Sequence, residues 1–190
     1  MKLEIIDSSQ AYRLLNHGPT ILVSSSFNGK QNIMAAAWNM PLDFDPPKIC
    51  VVIDKKTYTR ELIEASGSFV INVPCVAQVD LVTKLGLYSG RELHGTDKFA
   101  ENQLQTFNAK HIAAPLLAGC VAWLECKIIP DPHNQNTYDL FIAEVVAAYA
   151  DERVFSGGHS HFEGHDSLRT IHHIAGGAFF ATGAAIQSTI

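Results

Sequence analysis

The stretch from Asn32 to Thr59, NIMAAAWNMPLDFDPPKICVVIDKKTYT, decides how the chain around it folds. Within it, Lys48 to Ile53 (KICVVI) is an apolar, β-branched run that follows two prolines, which is typical of a buried strand entered from a rigid turn. The next segment, Tyr58 to Ser66, has helical periodicity and is followed by Gly67, a residue that favours a helix end. We therefore predict strand, turn, strand and helix in this order.

Polar side chains crowd the turn between the second strand and the helix: Lys55, Lys56, Thr57 and Thr59. Free backbone N–H groups and the positive end of the helix dipole attract an anion at such a turn, and hydroxyl and ammonium groups can complete its shell. The alternative is that Thr57 caps the helix and the lysines are solvated. The turn is thus either a phosphate site or a plain helix cap.

The first part of the stretch offers space for a flat molecule. Ala35, Ala36 and Ala37 are small, so a ring could lie against the backbone, and Trp38 and Asn39 provide a stacking surface and an amide. The alternative is an ordinary core strand with a buried tryptophan. Combined with the anion turn, this order suggests a site for a ring compound that carries a phosphate.

Length and composition restrict the function classes. The 190 residues, 47% of them apolar, predict one domain spanning 1–190 with a substantial core. A net charge of −5 argues against a nucleic-acid partner, which needs a basic face. The first residues, MKLEIIDSS, lack the apolar centre of a signal peptide, and no run approaches the ~20 residues of a membrane span. We expect a soluble, cytoplasmic protein with no membrane partner.

Cysteines and histidines raise the question of a metal site. The cysteines, at 50, 75, 120 and 126, form no CxxC pair and lie mostly in apolar sequence, which favours buried thiols over a disulfide or a metal site. Histidines cluster at 159, 161, 165, 172 and 173. Imidazole binds zinc, copper and nickel, but no HExxH spacing occurs, so we favour a polar loop with one or two packed histidines and predict no metal.

The remaining pattern predicts antiparallel strands with helices between them. Asn28-Gly29 is a strong hairpin signal and should pair Thr20–Ser26 with Gln31–Trp38. Further strands are predicted at Ser68–Val73, Gly119–Ile129 and Tyr138–Ala150, with a weaker one at Leu104–Phe107, and further helices at Gln10–Leu15 and Gln78–Tyr88. The polar segments PDPHNQNT and Val154–Arg169 are predicted as a turn and a loop. This pattern favours an antiparallel barrel, and the absence of GxGxxG after a strand argues against a Rossmann domain.

Taken in order, these motifs resemble the flavin reductase-like, FMN-binding split-barrel family, which includes flavoredoxins. The resemblance runs from about Ala11 to about Ile186 and rests on the order of the 32–38 strand, the proline turn, KKTYT, FVIN, SGR…DKF, FIAEV and HHIAGG. It implies a mainly β fold with helices, an antiparallel split β-barrel. It also implies a homodimer with the flavin at the interface.

The resemblance also implies which residues hold FMN. Ring contacts would come from Asn32, Ala37, Trp38, Asn39, Met40 and Phe179. Phosphate contacts would come from Lys55, Lys56, Thr57, Tyr58 and Thr59, which agrees with the anion turn. Asn72 would reach the ribityl or phosphate region, and Lys98 would contact the flavin. Ser89, Gly90 and Arg91 match more loosely, with Arg91 as a solvated loop charge being the alternative.

The implied activity is electron transfer from NADH or NADPH through bound FMN to a flavin, an iron complex or a partner protein. The alternatives are a flavoredoxin-like carrier without its own nicotinamide site, a non-enzymatic flavin-binding module, and chemistry like that of pyridoxamine-phosphate oxidases. Many relatives carry a histidine where this chain has Tyr138, and His133 is a possible substitute. Because the cofactor carries the chemistry, no catalytic residue is predicted.

Overall fold

The computed structural model describes residues 18–189, so the helix predicted at Gln10–Leu15 lies outside them. The strands of its main sheet are β1 (Ile21–Phe27), β2 (Lys30–Ala36), β3 (Asn39–Phe44), β4 (Pro47–Val52), β5 (Ser68–Val73), β8 (Ala122–Ile129) and β9 (Leu140–Ala150). Short pairs are β6 (Thr106–Phe107) with β7 (Leu116–Leu117), β10 (Phe155–Ser156) with β11 (His159–Ser160), and β12 (Ile171–Ala175) with β13 (Ala178–Ala181). The helices are α1 (Tyr58–Ser66), α2 (Val79–Gly86), α3 (Lys98–Glu101) and α4 (Pro132–Tyr138).

The main sheet is antiparallel and curled. Its order is β2-β1-β5-β8-β9-β4-β3, which leaves β2 and β3 at the edges. Val23 of β1 and Val51 of β4 are separated by several strands in this order, yet both are fully buried in one core cluster with Ile63 of α1 and Phe69 of β5. A flat sheet could not bring them together, so the sheet curls around this core. The predicted antiparallel split barrel is confirmed.

The first hairpin follows the prediction from its turn residues. Asn28 and Gly29 both have positive φ, at 48° and 76°, the backbone that a two-residue hairpin turn requires. The strands then pair from Phe27 opposite Lys30 to Ile21 opposite Ala36. This register fixes which β2 side chains face the core, and buries Asn32 and Ile33.

Helix α1 has the predicted bounds, and local contacts explain them. The Thr57 hydroxyl accepts a hydrogen bond from the Arg60 N–H at 3.3 Å, which caps the first turn. Gly67 adopts the left-handed conformation, φ 69°, and its N–H donates to the Ile63 carbonyl. The helix therefore begins directly after the polar turn that follows β4.

Two segments predicted as turns form a strand and a helix, and the loop predicted at Val154–Arg169 contains the short β10–β11 pair. Residues 39–44, taken as part of a proline turn, form β3, which pairs with β4 from Asn39 opposite Val51. The polar segment read as a turn before the last long strand forms α4, capped by the Asp131 carboxylate, which accepts from the Asn134 N–H at 3.1 Å. Tyr138 consequently ends this helix, and the strand begins at Leu140. Strand pairing with β4 explains the first difference and helix capping by Asp131 the second.

Candidate functional site

A buried hydrogen bond joins β2 to the start of α1. The Asn32 amide nitrogen Nδ2 donates to Thr59 Oγ1 at 2.8 Å, and both side chains are buried. The other amide atom, Oδ1, is also buried but has no hydrogen-bond partner within residues 18–189. Since buried polar atoms normally have a partner, the unsatisfied oxygen marks this position as unusual.

Gly90 packs tightly against the same two elements, at Asn32 of β2 and Tyr58 of α1. A Cβ atom at this position would lie 2.2 Å from Asn32 Oδ1 and 3.2 Å from Tyr58 Cδ1, so only glycine fits without displacement. Ser89 fixes the approach, because its hydroxyl accepts from the Arg91 N–H at 3.2 Å and Glu92 completes the reciprocal cap. The backbone of Gly90 therefore lies where any other residue at this wall would need space for its side chain.

Lys98 is a buried cation beside this wall. It is 2% exposed, its Nζ donates to the Leu85 carbonyl at 2.6 Å, and Nζ lies 4.7 Å from the centre of the Tyr88 ring. Burial lowers the pKa of Lys98 to about 8, although the nearby Glu92 carboxylate opposes this shift. Lys98 is therefore a cation that an anionic ligand would stabilise.

These residues line a cavity of about 460 Å³, which we call the polar cavity. Its walls come from β2, the turn into α1, the end of α2 and the segment that leads into α3. They comprise Asn32, Met34, Ala35, Asp54, Lys56, Thr57, Tyr58, Thr59, Leu85, Gly86, Leu87, Tyr88, Ser89, Gly90, Glu92 and Lys98. The start of α1, with its free N–H groups and positive dipole end, faces this cavity together with Lys56 and Lys98, which suits an anion.

A second cavity, of about 560 Å³, adjoins the polar cavity, and we call it the apolar cavity. Both share Ala35, Gly86 and Leu87. The remaining lining of the apolar cavity is small or apolar apart from a few polar side chains: Thr20, Ala36, Ala37, Val82, Thr83, His173, Gly176, Gly177 and Phe179. The small residues of β2 thus form a continuous floor that runs from the polar to the apolar cavity.

Arg91 braces the outer side of the polar cavity. Its guanidinium pairs with Glu61, donates to the Lys56 carbonyl at 3.3 Å and lies 5.9 Å from the centre of the Tyr58 ring. Both members of the pair are about half exposed. These contacts tie the Ser89–Arg91 segment to α1. Arg91 also lines a neighbouring cavity of about 600 Å³.

The structure brings most of the predicted site residues to these cavities. The polar cavity contains Asn32, Lys56, Thr57, Tyr58, Thr59, Ser89, Gly90 and Lys98, and the apolar cavity contains Ala37 and Phe179. Thr57 also caps α1, so the turn can be a helix cap and an anion site at the same time. The predicted residues Trp38, Asn39, Met40, Lys55, Asn72 and Arg91 line neither cavity in the described residues 18–189.

Two of these predicted residues, Asn72 and Asn39, make hydrogen bonds elsewhere in the structure. Asn72 is fully buried: its Nδ2 donates to the Leu22 carbonyl at 2.9 Å, and its Oδ1 accepts from the Leu117 N–H at 2.7 Å. Asn39 donates to the Pro19 carbonyl at 2.9 Å. Trp38, in contrast to the core-strand reading, is 53% exposed. Asn72 thus holds β1 and β7 together within the barrel.

Tyr138 and the histidines make different local contacts, and few of them lie near the cavities. Tyr138 packs edge-on against His133, with ring centres 5.9 Å apart, and neither lines the polar or apolar cavity in the described part of the chain. His161 Nε2 lies 2.8 Å from Ser156 Oγ, whereas His173 lines the apolar cavity. Among residues 18–189, no group of three or more potential metal ligands is found.

Sequence reasoning missed the end of α2 as a wall of the site. Leu85, Gly86, Leu87 and Tyr88 line the polar cavity, whereas the sequence pattern predicted this segment only as part of a helix. The available signal was Gly86 at the end of a helix, followed by Leu87, Tyr88 and Ser89. His173 was missed for another reason: its partner Phe179 lies across a glycine turn that the sequence did not identify as a hairpin.

Two further findings concern the state of the cysteine thiols and the length of the helices. All the cysteines are free thiols, and Cys75, Cys120 and Cys126 are buried. Burial raises the pKa of Cys120 and of Cys126 to about 12, so these thiols stay protonated. Between residues 18 and 189, no helix has both the length and the apolar character needed to cross a membrane.

Comparisons with known proteins agree on one family. The model of the flavin reductase like domain matches residues 12–166. The uncharacterised protein YddH of Escherichia coli K12 is 42% identical over 186 residues, which cover 96% of each chain. A crystal structure of an FMN-binding domain of a flavin reductases-like enzyme from Shewanella baltica is 49% identical, with a TM-score of 0.85 over 96% of this chain and 95% of that one.

A flavoredoxin of Desulfovibrio vulgaris (Miyazaki F) is 27% identical, with a TM-score of 0.80 over 100% of this chain and 97% of that one. The family model matches most of the chain. The chain belongs to the flavin reductase-like family.

Proposed function

We propose that the protein binds FMN across the polar and apolar cavities and transfers electrons from NADH or NADPH. The observation that carries this proposal is the cluster at the start of α1, where Thr57, Thr59 and Lys56 meet the buried Lys98 in one cavity. A phosphate monoester is the part of FMN that such a cluster suits, because it presents charge to a helix start and two ammonium groups.

The residues present fit the cofactor. Asn32 Oδ1 is a buried acceptor without a partner in the described residues, and it lies where Gly90 leaves no room for a side chain. Lys98 is a buried cation without a salt-bridge partner within residues 18–189. An anion in the polar cavity would offset the cost of burying that charge, which makes an anionic ligand more favourable than a neutral one.

The continuous floor of small residues suits the ring system. Ala35, Gly86 and Leu87 line both cavities and would hold the isoalloxazine, with Ala37 and Phe179 farther along the floor. Asn32 would contribute from the polar side, and Trp38, Asn39 and Met40 would complete ring contacts at the subunit interface described below. Apolar walls around a flat ring exclude water, which disfavours side reactions of a reduced flavin.

When bound, FMN supplies the redox chemistry, so the protein needs to bind, orient and shield rather than to act as an acid or base. Lys56, Thr57, Tyr58 and Thr59 would hold the phosphate end. Lys98 would place positive charge in the polar cavity, which favours electron density on a nearby ring. The electrons would pass to a flavin, an iron complex or a partner protein.

A flavoredoxin-like carrier is the second candidate, and the likeness to the Desulfovibrio flavoredoxin favours it. Such a protein would hold FMN and exchange electrons with proteins, without an efficient nicotinamide site of its own. The position of Tyr138 away from both cavities is compatible with this alternative, because the residue expected to replace a family histidine does not reach the site in one subunit.

We further propose a homodimer with the flavin at the interface. Trp38, Met40, Leu42 and Phe44 are exposed apolar side chains in and next to the edge strand β3, and Phe44 is 92% exposed. A second copy would remove this row from water, which is the ordinary reason for an apolar edge of this kind. We also propose a cytoplasmic location, since free thiols are typical of reducing compartments.

The purified protein tests the proposal through its absorbance spectrum and its reaction with nicotinamide donors. We expect a flavin band in the protein as isolated or after reconstitution with FMN, and bleaching of that band by NADH or NADPH in stopped-flow mixing. A preparation that neither contains nor takes up FMN would refute the proposal. FMN binding with bleaching slower than seconds at millimolar donor would favour the carrier.

A further inference from the structure

The apolar cavity contains an ionisable side chain for which the proposed FMN contacts leave no role. His173 of β12 is the ionisable residue among the described residues that line this cavity. Its ring lies edge-on to Phe179, with ring centres 5.4 Å apart at 65°. No hydrogen bond to either ring nitrogen is found within residues 18–189, so both are available to a ligand.

The hairpin that carries His173 is held against α2. Gly176 and Gly177 form its turn with positive φ, at 55° and 84°, and a Cβ on Gly177 would lie 3.7 Å from Thr83 of α2. The pairing of His173 with Phe179, and of Ile171 with Ala181, sets the direction of the ring. His173 is thus placed on a defined wall by pairing on one side and by α2 on the other.

A second polar group in the lining has no hydrogen-bond partner in the described part of the chain. Thr20 is 3% exposed, and its hydroxyl makes no hydrogen bond within the described residues. The hydroxyl of Thr83, by contrast, donates to the Val79 carbonyl at 3.0 Å. The apolar cavity therefore combines apolar walls with an imidazole and a buried hydroxyl whose hydrogen bonds are unused, the pattern of a pocket that orients an uncharged ligand.

We propose that the part of the apolar cavity next to His173 is the subsite for the electron acceptor, a flat, uncharged ring with carbonyl oxygens of the quinone class. His173 would determine this specificity by donating a hydrogen bond to a carbonyl oxygen. The inference rests on the proposed FMN function and replaces its broad list of acceptors with one chemical class. Charged acceptors such as iron chelates are disfavoured here, because alanine, valine, leucine and phenylalanine walls cannot replace their hydration.

The overall reaction balances without any further reagent. The nicotinamide donor loses a hydride and becomes NAD(P)⁺, and the quinone gains two electrons. Its two carbonyl oxygens each gain a proton, so two O–H bonds form. The hydride accounts for one of these hydrogens, and water supplies the other as a proton.

Duroquinone binding to the oxidised, FMN-loaded protein tests the proposal without turnover. This quinone is fully methylated and so does not add to thiols. In His173→Phe the flat ring and its contact with Phe179 are kept, but both nitrogens are lost. His172→Gln alters the neighbouring residue, whose side chain alternates to the other side of β12, and serves as the matched control.

We expect calorimetry to show one duroquinone per subunit in the wild type, about tenfold weaker binding in His173→Phe, as for the loss of one hydrogen bond, and less than about twofold change in His172→Gln. The flavin absorbance should be the same in all three proteins. In turnover, His173→Phe should lose rate with duroquinone but keep its rate with ferricyanide, a charged acceptor.

Two results would overturn the inference: no duroquinone binding to a wild type that retains FMN, or equal binding by the wild type and His173→Phe. Loss of FMN from His173→Phe alone would instead assign His173 to the cofactor site and would also contradict the proposal. A wild type that takes up no FMN would be recognised by its spectrum, and that result would refute the proposed FMN function itself.

Discussion

The polar and apolar cavities are neighbours, but their walls are built in different ways. Directional bonds fix the polar walls: Asn32 to Thr59 at 2.8 Å, Lys98 to the Leu85 carbonyl at 2.6 Å, and Arg91 to the Lys56 carbonyl at 3.3 Å. The apolar walls consist mainly of alanines, a glycine turn and packed hydrocarbon. The polar walls therefore suit recognition of charge by prearranged partners, whereas the apolar walls suit recognition of a ring by its shape. Changes to the polar walls should therefore have the larger effects.

The largest effect is expected at Arg60, a buried residue of α1, the helix whose start lines the polar cavity. This buried guanidinium donates to Asp139 at 2.7 Å, Glu64 at 2.6 Å and the carbonyls of Ile53 and Gln135 at 3.1 and 2.8 Å. Arg60→Met would leave these acceptors without their partner. We expect urea unfolding to show a loss of about 3 kcal/mol, as for other buried pairs broken on one side.

Arg91→Met is the matched control for Arg60→Met, because it removes the same group from an exposed pair. Arg91 and Glu61 are about half exposed, so the loss should stay below about 1 kcal/mol. Equal losses in the two variants would mean that the buried network around Arg60 does not support α1 more than the surface pair does.

A smaller effect is expected from Gly90→Ala, which inserts a methyl group into the polar wall. Its Cβ would lie 2.2 Å from Asn32 Oδ1, so the Ser89–Arg91 segment must shift, at a cost of about 1–3 kcal/mol typical of overpacking. FMN binding should weaken in fluorescence titration. Gly183→Ala, whose Cβ would meet nothing within 4 Å, should bind FMN like the wild type.

The pH dependence of FMN binding should show the smallest effect. The pKa of Lys98 is lowered to about 8, so the ligand-free protein loses this charge as the pH rises through that value. A bound anion favours the protonated form, and FMN affinity should therefore decrease between pH 7 and 9.5, by at most about tenfold per pH unit. Lys98→Met should remove this dependence, while a decrease of the same size in that variant would assign it to another group.

The same contrast explains how far the sequence could predict the molecule. Local signals sufficed where one or two residues determine the backbone, as for Asn28-Gly29 and for α1 between Thr57 and Gly67. The predicted residues that line the polar cavity followed from motif order, since most of them lie in two short segments, whereas the wall at the end of α2 did not. Strand β3 and helix α4 were missed, because pairing with β4 and capping by Asp131 decide them.

Long-range contacts decide the environment of two further side chains, Asn72 and His173. The family resemblance implied a ligand contact for Asn72, whereas its side-chain amide bonds to the backbone of Leu22 and Leu117 inside the barrel. His173 reaches the apolar cavity only because β12 and β13 pair. Neither outcome is encoded within a few residues of the side chain concerned.

The central claim is that the polar cavity recognises the phosphate of FMN, and a comparison of FMN with riboflavin tests it most directly. The two ligands share the ring and ribityl chain and differ only in the phosphate. Calorimetric titration of the ligand-free protein should show FMN binding at least about 100-fold more tightly, since charge-assisted hydrogen bonds contribute about 1.5–3 kcal/mol each. Lys56→Ala and Thr59→Ala should each reduce this preference. Equal affinity of the wild type for FMN and riboflavin would contradict the account.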